Sequence, residues 1–143
     1  MYDTEKVRIF AKEIKKNKFM SQKITPSNIT ELKPNEVFVF GSNMRGLHKG
    51  GAARTAFEKF GAEWGNPIGL QGQSYAIPTM FKDAEDIRPY VESFIKFARE
   101  HSELFFYVTL IGCGIAGFEP SEIKPLFKGC IGLENVALPK EFM

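Results

Sequence analysis

Two glycine-rich segments are the parts of this 143-residue chain whose composition is best suited to chemistry. The first is Gly50-Gly51-Ala52, and the second runs through residues 112–118 as G-C-G-I-A-G-F. Glycine has no Cβ, so its backbone can approach a bulky anion and point N–H groups at it, and a following helix N-terminus adds a favourable dipole. The pattern therefore predicts binding of a phosphate-bearing nucleotide, with its pyrophosphate held by main-chain amides.

Both segments also have a purely structural explanation, because glycines between a strand and a helix often serve only a tight turn. The second segment formally matches G-x-G-x-x-G, but a dinucleotide-binding fold needs that motif in its first βαβ unit. Only 26 residues follow Gly117, which is too few for the rest of such a fold. The P-loop pattern G-x-x-x-x-G-K-[ST] does not occur.

The elements that must position these segments follow from apolar periodicity. Helices are predicted at residues 4–16, 50–60 and 86–100, with another opening near Pro120. Short strands are predicted at 37–40, 75–77, 104–111 and 135–138, and the glycine-rich segment 65–72 is predicted to be an irregular surface loop. Strand, glycine loop and helix follow one another twice, which predicts an α/β fold with a mixed central sheet and helices on both faces. If the two strands are parallel, both loops face one cleft.

Composition sets bounds on the function. The chain has 43% hydrophobic and 25% charged residues, values typical of a single folded domain. No apolar run approaches the roughly 20 residues that span a bilayer, and residues 1–16 contain no export-type apolar segment, so we expect a cytoplasmic protein with no membrane partner. Two cysteines fit free thiols in a reducing compartment.

The N-terminal region is basic, since residues 1–35 hold eight Lys/Arg against four Asp/Glu. Such an asymmetry could attract nucleic acid, and it could equally belong to a solvated helix face. We favour the solvated face, because the lysines are not interleaved with aromatic stacking partners. Nucleic-acid binding through this segment remains an alternative hypothesis.

Four ordered landmarks resemble those of the macro domain family. The chain reads S-N-I-T at 27–30, F-G-S-N at 40–43, G-G-A at 50–52 and G-I-A-G-F at 114–118. The segments 69–72 (G-L-Q-G) and 74–79 (S-Y-A-I-P-T) are similar to an uncharacterised, phage-related macro-like group. The resemblance spans about residues 25–139 and implies one macro-like domain over 1–143, with residues 1–24 as a basic N-terminal helix and linker.

The resemblance implies recognition of ADP-ribose or a related nucleotide, with no further cofactor and no metal. One side of the diphosphate would meet the first glycine segment, the other side would be wrapped by residues 114–118, and Phe118 would lie against a ribose. Asn28 stands where the family has an acid that reads adenine, so a different base is open. The ligand-binding residues predicted in this way are Asn28, Asn43, Gly50, Gly51, Ala52, Gln71, Gly112, Gly114, Ile115, Ala116, Gly117 and Phe118.

Catalysis is the more open question, because no acidic residue occurs between Asn43 and Arg54. Asn43, near the distal ribose, and His48, whose imidazole titrates near neutral pH, are the predicted catalytic residues. His48 could instead be an ordinary surface-loop histidine. Cys113 lies in the second glycine turn, where a helix N-terminus could lower its thiol pKa, or it could be a small buried residue.

Two functions are therefore carried forward from the resemblance. One is an ADP-ribosyl hydrolase acting on ADP-ribosylated protein or a related nucleotide. The other is a reader or sequestering module that binds the same ligand without turnover. Both would use the two glycine segments, and they differ in whether a side chain is placed to activate water.

Overall fold

A computed structural model describes Lys6 and residues 22–143 of the chain. Within this part, the strands are β1 (Lys23–Ile24), β2 (Glu36–Ser42), β3 (Gly69–Gln71), β4 (Ser74–Pro78), β5 (Phe105–Val108) and β6 (Val136–Leu138). The α-helices are α1 (Gly51–Lys59), α2 (Arg88–Glu100) and α3 (Pro120–Ile123). Three 3₁₀ helices cover Ala84–Ile87, Lys124–Cys130 and Lys140–Phe142.

The strands form one mixed sheet in the order β1-β6-β5-β2-β4-β3. All neighbours are parallel except β3 and β4, which pair as an antiparallel hairpin. Strand β4 pairs with one edge of β2, and β5 pairs with the other edge. The predicted α/β class and mixed central sheet are confirmed for the described residues.

Strand β2 is buried on both faces, which explains its continuous apolar sequence V-F-V-F. Val37 and Val39 pack into a large core on one face with α2 and the 3₁₀ helix Lys124–Cys130. Phe38 and Phe40 pack into a smaller core on the opposite face with α1. Because successive strand residues point to opposite faces, this alternation places helices on both sides of the sheet, as predicted.

Helix α2 begins at Arg88, and Pro89 lies in its first turn, where a backbone N–H would have no partner inside the helix. Its buried residues recur at helical spacing and are Val91, Phe94, Ile95 and Ala98. The helix predicted at 86–100 is confirmed, and the residues just before Arg88 form a 3₁₀ helix instead of an α-helix. Helix α1 confirms the prediction for 50–60, with Gly50 as its N-cap.

The prediction of an irregular loop at 65–72 was wrong for its last residues. Gly69–Gln71 forms β3, which pairs with β4 through the register Leu70↔Tyr75. A hairpin turn joins the two strands at Gly72, whose φ of 59° is left-handed and suits glycine. The high glycine content marked the turn, and it obscured the short strand before it.

The predicted strand at 104–111 is shorter than expected, since β5 ends at Val108. The Ile111 amide donates to Thr109 O at 2.7 Å, so the chain turns out of the sheet there, and Gly112 follows with a φ of 75°. Strand β2 is longer than predicted and runs to Ser42. The predicted helix at 4–16 lies outside the described residues, apart from Lys6.

Gly46 is the position in the loop after β2 where an added side chain would clash most directly. A Cβ there would lie 2.5 Å from Asn66 N, and Gly46 and Gly65 both have left-handed φ. We expect Gly46→Ala to lower the free energy of unfolding by roughly 2–5 kcal/mol, because strain and overpacking add. Gly65→Ala meets no atom within 4 Å and should cost only about 1–2 kcal/mol. Urea unfolding would measure both, and equal losses would contradict the packing described.

Candidate functional site

A cleft lies where the parallel strands end. The segments that follow β1, β2, β4, β5 and β6 all contribute to its walls. The loop after β2 leads into the first glycine segment, and the loop after β5 contains the second. Because β2 and β5 are adjacent and parallel, the two loops leave the same edge side by side. The sequence-based expectation of one shared cleft is met.

One part of the cleft, here called the glycine-loop cavity, has a volume of about 560 Å³. It lies between the loop after β2, the start of α1, the end of β4 and the loop after β5. Its lining residues are Gly41, Ser42, Asn43, Leu47, Lys49, Gly50, Gly51, Ala52, Ala53, Thr79, Met80, Thr109, Leu110, Ile111, Gly112, Gly114, Ile115 and Ala116.

The two glycine segments face each other across this cavity. A Cβ built on Gly50 would lie 3.4 Å from Ile115 Cδ1, so the walls come close at that point. The first-turn amides of α1, beginning at Gly51, have no carbonyl partner inside the helix. Across the cavity, the amides of Gly114, Ile115 and Ala116 donate to no group within residues 22–143. Both walls of the cavity therefore include residues whose main-chain amides have no partner among the described residues.

The end of the second glycine segment does not join the cavity wall. The Gly117 amide donates to Gly114 O at 3.0 Å, and the Phe118 amide donates to Gly112 O at 2.8 Å. Phe118 packs against the larger core and lies near Gly112. The roles predicted for Gly117 and Phe118 as ligand contacts are therefore replaced by a structural one, which is to close the loop and support its exposed tip.

The second part of the cleft, here called the C-terminal cavity, has a volume of about 600 Å³. It is lined by Ile24, Thr25, Pro26, Ser27, Asn28, Ile29, Phe38, Ala52, Thr55, Thr109, Leu110, Pro139, Lys140 and Glu141. Ala52, Thr109 and Leu110 line both cavities, so the two are adjacent. The structure brings Asn28 to this second part, away from the Gly114 segment.

Asn43 lines the glycine-loop cavity, but its side chain is engaged in its own loop. Its Oδ1 accepts hydrogen bonds from the Arg45 and Leu47 amides at 3.2 and 3.0 Å. Its Nδ2 donates to Leu47 O at 2.9 Å. These three bonds use both ends of the amide, so Asn43 shapes the approach to the first glycine segment.

His48 and Gln71 lie outside both cavities. His48 is only 1% exposed, its Nε2 lies 2.8 Å from Glu63 O, and its ring meets Phe40 edge-on. Gln71 is 3% exposed and accepts from the Glu63 amide at 2.7 Å. Neither prediction as a site residue fits this placement, and the surface-histidine alternative is also wrong. Both side chains hold the segment around Glu63 and Asn66 against the rest of the fold.

Among the residues that line the glycine-loop cavity, only Lys49 has a charged side chain. The polar side chains beside it belong to Ser42, Asn43, Thr79 and Thr109, and the lining includes no Asp, Glu or His. Thr109 Oγ1 donates to Val39 O at 2.7 Å, so this hydroxyl is already engaged. Among the described residues, no three His, Cys, Asp or Glu side chains cluster closely enough to hold a metal ion.

Several residues that form the cleft were not among the predicted site residues. Thr79 and Met80 follow β4, Thr109 and Leu110 follow β5, and residues 139–141 follow β6. Each set comes directly after a strand, so an accurate strand order would have located all three. Periodicity alone does not give that order. The basic N-terminal segment lies outside the described part of the chain, apart from Lys23, Lys33 and Lys6.

Searches against models of protein families, curated proteins and solved structures found no match. No helix within the described ranges is long and apolar enough to cross a membrane. The geometry of the cleft is therefore the basis for the functional proposal.

Cys113 does not have the environment of an activated nucleophile. Burial, together with the smaller effect of the nearby carboxylates of Glu119, Glu141 and Glu122, raises the pKa of its thiol to about 11. Burial likewise raises the pKa of the Cys130 thiol to about 12. At neutral pH both thiols are protonated, so the sequence-based nucleophile hypothesis for Cys113 is not supported.

The raised thiol pKa values predict slow alkylation. At pH 8 we expect Cys113 in the folded protein to react with iodoacetamide on the order of 100-fold more slowly than in the urea-unfolded chain, because only the thiolate reacts. Its rate should continue to rise up to about pH 11. Time-resolved mass spectrometry of the modified peptides would measure this, and a rate that levels off near pH 7 would contradict it.

Proposed function

We propose that the cleft binds a nucleoside diphosphate of the ADP-ribose class. The supporting observation is that two segments with free main-chain amides face each other across one cavity at the carboxyl edge of the sheet. A diphosphate is a doubly charged, compact anion whose oxygens accept several hydrogen bonds, so convergent backbone donors suit it. Lys49 would contribute a positive charge at the rim.

The adjacency of the two cavities supports a ligand with groups on both sides of the diphosphate. The glycine-loop cavity would hold the diphosphate and the distal sugar, and the C-terminal cavity would hold the nucleoside. Their volumes of about 560 and 600 Å³ are each within the range of small-molecule sites. A free phosphate would leave one of the two parts empty.

The order of landmarks along the chain agrees with the same proposal. The macro-like segments at 27–28, 41–43, 50–52 and 114–116 all border this one cleft. We infer on this basis that the chain has a macro-like fold and takes ADP-ribose, free or attached to protein, as its ligand. In this proposal, Asn28, Gly51 and Gly114 are ligand-binding residues because they line the cleft.

Binding without turnover is the form of the function that the lining favours. Activation of water usually needs a carboxylate or an imidazole within hydrogen-bonding reach. No such side chain lines the glycine-loop cavity, and Asn43 has its polar atoms engaged in the loop. We therefore propose a reader or sequestering module as the primary function and keep ADP-ribosyl hydrolysis as an outcome of the test.

Gly114→Glu tests the anion site directly. Gly114 has open space around its Cβ position and no left-handed φ, so the substitution does not strain the fold. A carboxylate there would repel the diphosphate, and we expect at least about 100-fold weaker binding of ADP-ribose with little change in the thermal midpoint. Isothermal titration calorimetry and thermal unfolding would measure the two quantities.

Gly114→Gln is the matched control, because it adds the same bulk without the charge. It should retain more affinity than Gly114→Glu by at least about tenfold. Equal affinity of Gly114→Glu and the parent protein would refute the proposed site. Incubation of the parent with ADP-ribosylated protein separates the two forms of the function, since release of ADP-ribose would identify a hydrolase.

Lys49→Met tests the single cation of the glycine-loop cavity. Lys49 is exposed, so its attraction for a phosphate is screened, and we expect roughly two- to fivefold weaker ADP-ribose binding. The loss should shrink as salt is raised. Lys59→Met, at the opposite end of α1, is the control and should change affinity little. Calorimetric titrations at two salt concentrations would decide, and equal effects of the two variants would contradict a role for Lys49.

A further inference from the structure

Two aromatic side chains lie together on the surface beside α1. Phe57, in α1, is 43% exposed, and Trp64, in the loop that follows the helix, is 51% exposed. Their ring centroids are 5.5 Å apart, so the two rings form one continuous apolar surface. Single exposed apolar residues are common, but an adjacent pair that includes a tryptophan is typical of a surface that another molecule covers.

Trp64 is held in position by contacts within the chain. Its ring lies edge-on to the buried His48 ring, with the centroids 6.5 Å apart. The amide of the next residue, Gly65, donates to Gly46 O at 2.8 Å, which ties this loop to the loop after β2. A rigid aromatic side chain loses little conformational freedom on association, so more of the free energy of its burial is available for binding.

The same side of α1 has one exposed charge of each sign. Arg54 and Glu58 are one helical turn apart, their side chains are 64% and 53% exposed, and Arg54 Nε donates to Glu58 Oε1 at 2.8 Å. Arg54, Phe57, Glu58 and Trp64 are here called the α1 flank. The two charges of the flank cancel, so it offers no net electrostatic attraction to a highly charged partner such as nucleic acid.

We propose that the α1 flank is the face through which two copies of this chain form a two-fold dimer. When the two α1 helices are antiparallel, Arg54 of one protomer meets Glu58 of its partner, and symmetry forms the same pair a second time. Phe57 lies between the two charges along the chain and meets its own copy near the axis. The exchange of ion pairs within each helix for ion pairs across the interface costs little, because exposed pairs contribute little to stability.

Charge complementarity favours a second copy as the partner. A surface with charges of one sign would repel its own copy, whereas the α1 flank matches itself when it is turned by half a rotation. The formal net charge of the chain is only +2, so repulsion between whole copies is also weak. The face that is self-complementary in charge is thus also the one that exposes the aromatic pair.

The dimer leaves the ligand cleft open. Thr55 lines the C-terminal cavity, and Phe57, two residues later in the helix, lies on roughly the opposite side of α1. Association through the flank therefore does not cover the cavity. The inference is independent of the proposed nucleotide site, and ADP-ribose should not alter the monomer–dimer equilibrium.

Sedimentation equilibrium tests the dimer. We expect a monomer–dimer equilibrium with a dissociation constant of about 1–100 µM, a range that suits a small interface. Trp64 is the single tryptophan of the chain, so its fluorescence reports on this face. Its emission should move to shorter wavelength as the protein concentration rises, because the ring leaves water when the dimer forms.

Phe57→Gln tests the apolar part of the flank. The substitution should weaken association by at least about tenfold, because it removes an aromatic contact from the centre of the interface. Circular dichroism should show an unchanged fold, since Phe57 is already 43% exposed. Leu70→Gln is the matched control: Leu70 is 44% exposed but lies in β3, outside the flank, and its substitution should leave association unchanged.

Charge reversal tests the two-fold arrangement. Arg54→Glu and Glu58→Arg each place two like charges on the flank, so we expect neither variant to self-associate. An equimolar mixture of the two variants should form a heterodimer, because each flank then faces charges of the opposite sign. Both variants lose the ion pair within the helix, and that loss cannot produce association in the mixture.

Glu85 and Arg88 supply the control for charge reversal. They form another exposed ion pair, which lies outside the flank at the start of α2. Glu85→Arg and Arg88→Glu change the net charge by the same amounts as the two flank variants. Each should self-associate as tightly as the parent.

Three kinds of result would overturn the assignment. A parent protein that stays monomeric up to roughly 500 µM would refute the dimer, since the expected dissociation constant is lower. Equal association of the parent and Phe57→Gln, or Trp64 emission that does not change with concentration, would place the interface elsewhere. A mixture of Arg54→Glu and Glu58→Arg that stays monomeric would refute the antiparallel pairing of the helices.

Discussion

The parallel pairing of β2 with β5 is the constraint on which the rest of this molecule depends. Their register from Glu36↔Phe105 to Val39↔Val108 fixes two strand ends next to each other at one edge of the sheet. The two glycine segments are far apart in sequence, and this pairing alone brings them together. The continuous burial of β2 stabilises the pairing, because both faces of the strand carry large apolar side chains. A cleft with backbone donors on two sides is the consequence.

The supporting side chains lie behind the cleft instead of in it. His48 and Gln71 bond to the backbone around Glu63, and Asn43 closes the loop that leads into α1. The sequence predicted a site role for each of these polar residues, because their side chains can bind a ligand or take part in catalysis. The structure uses their hydrogen bonds to hold loops that contain little regular structure. What reaches the cavity is mostly main chain, together with small, apolar or weakly polar side chains.

The sequence predicted the fold class and the type of most elements, because apolar periodicity and glycine positions are local signals. It located α1, α2 and the glycine turns, and it found β2, β4, β5 and β6 with errors at their ends. It missed β1 and β3, since strands of two and three residues carry almost no periodic signal. Only some of the residues that line the cleft could be predicted from the sequence. Residues such as Thr25, Met80 and Glu141 join it through strand order, which depends on nonlocal pairing.

The contrast between the two cavities suggests how binding energy and selectivity are divided. In the proposed function, backbone amides around the glycine-loop cavity would attract any compact polyanion, and they would discriminate little among nucleotides because each nucleotide presents similar phosphate oxygens. The C-terminal cavity holds the side chains that differ in hydrogen-bonding capacity, among them Asn28, Lys140 and Glu141. Discrimination between ligands is therefore expected at the end of the cleft that lies away from the second glycine segment.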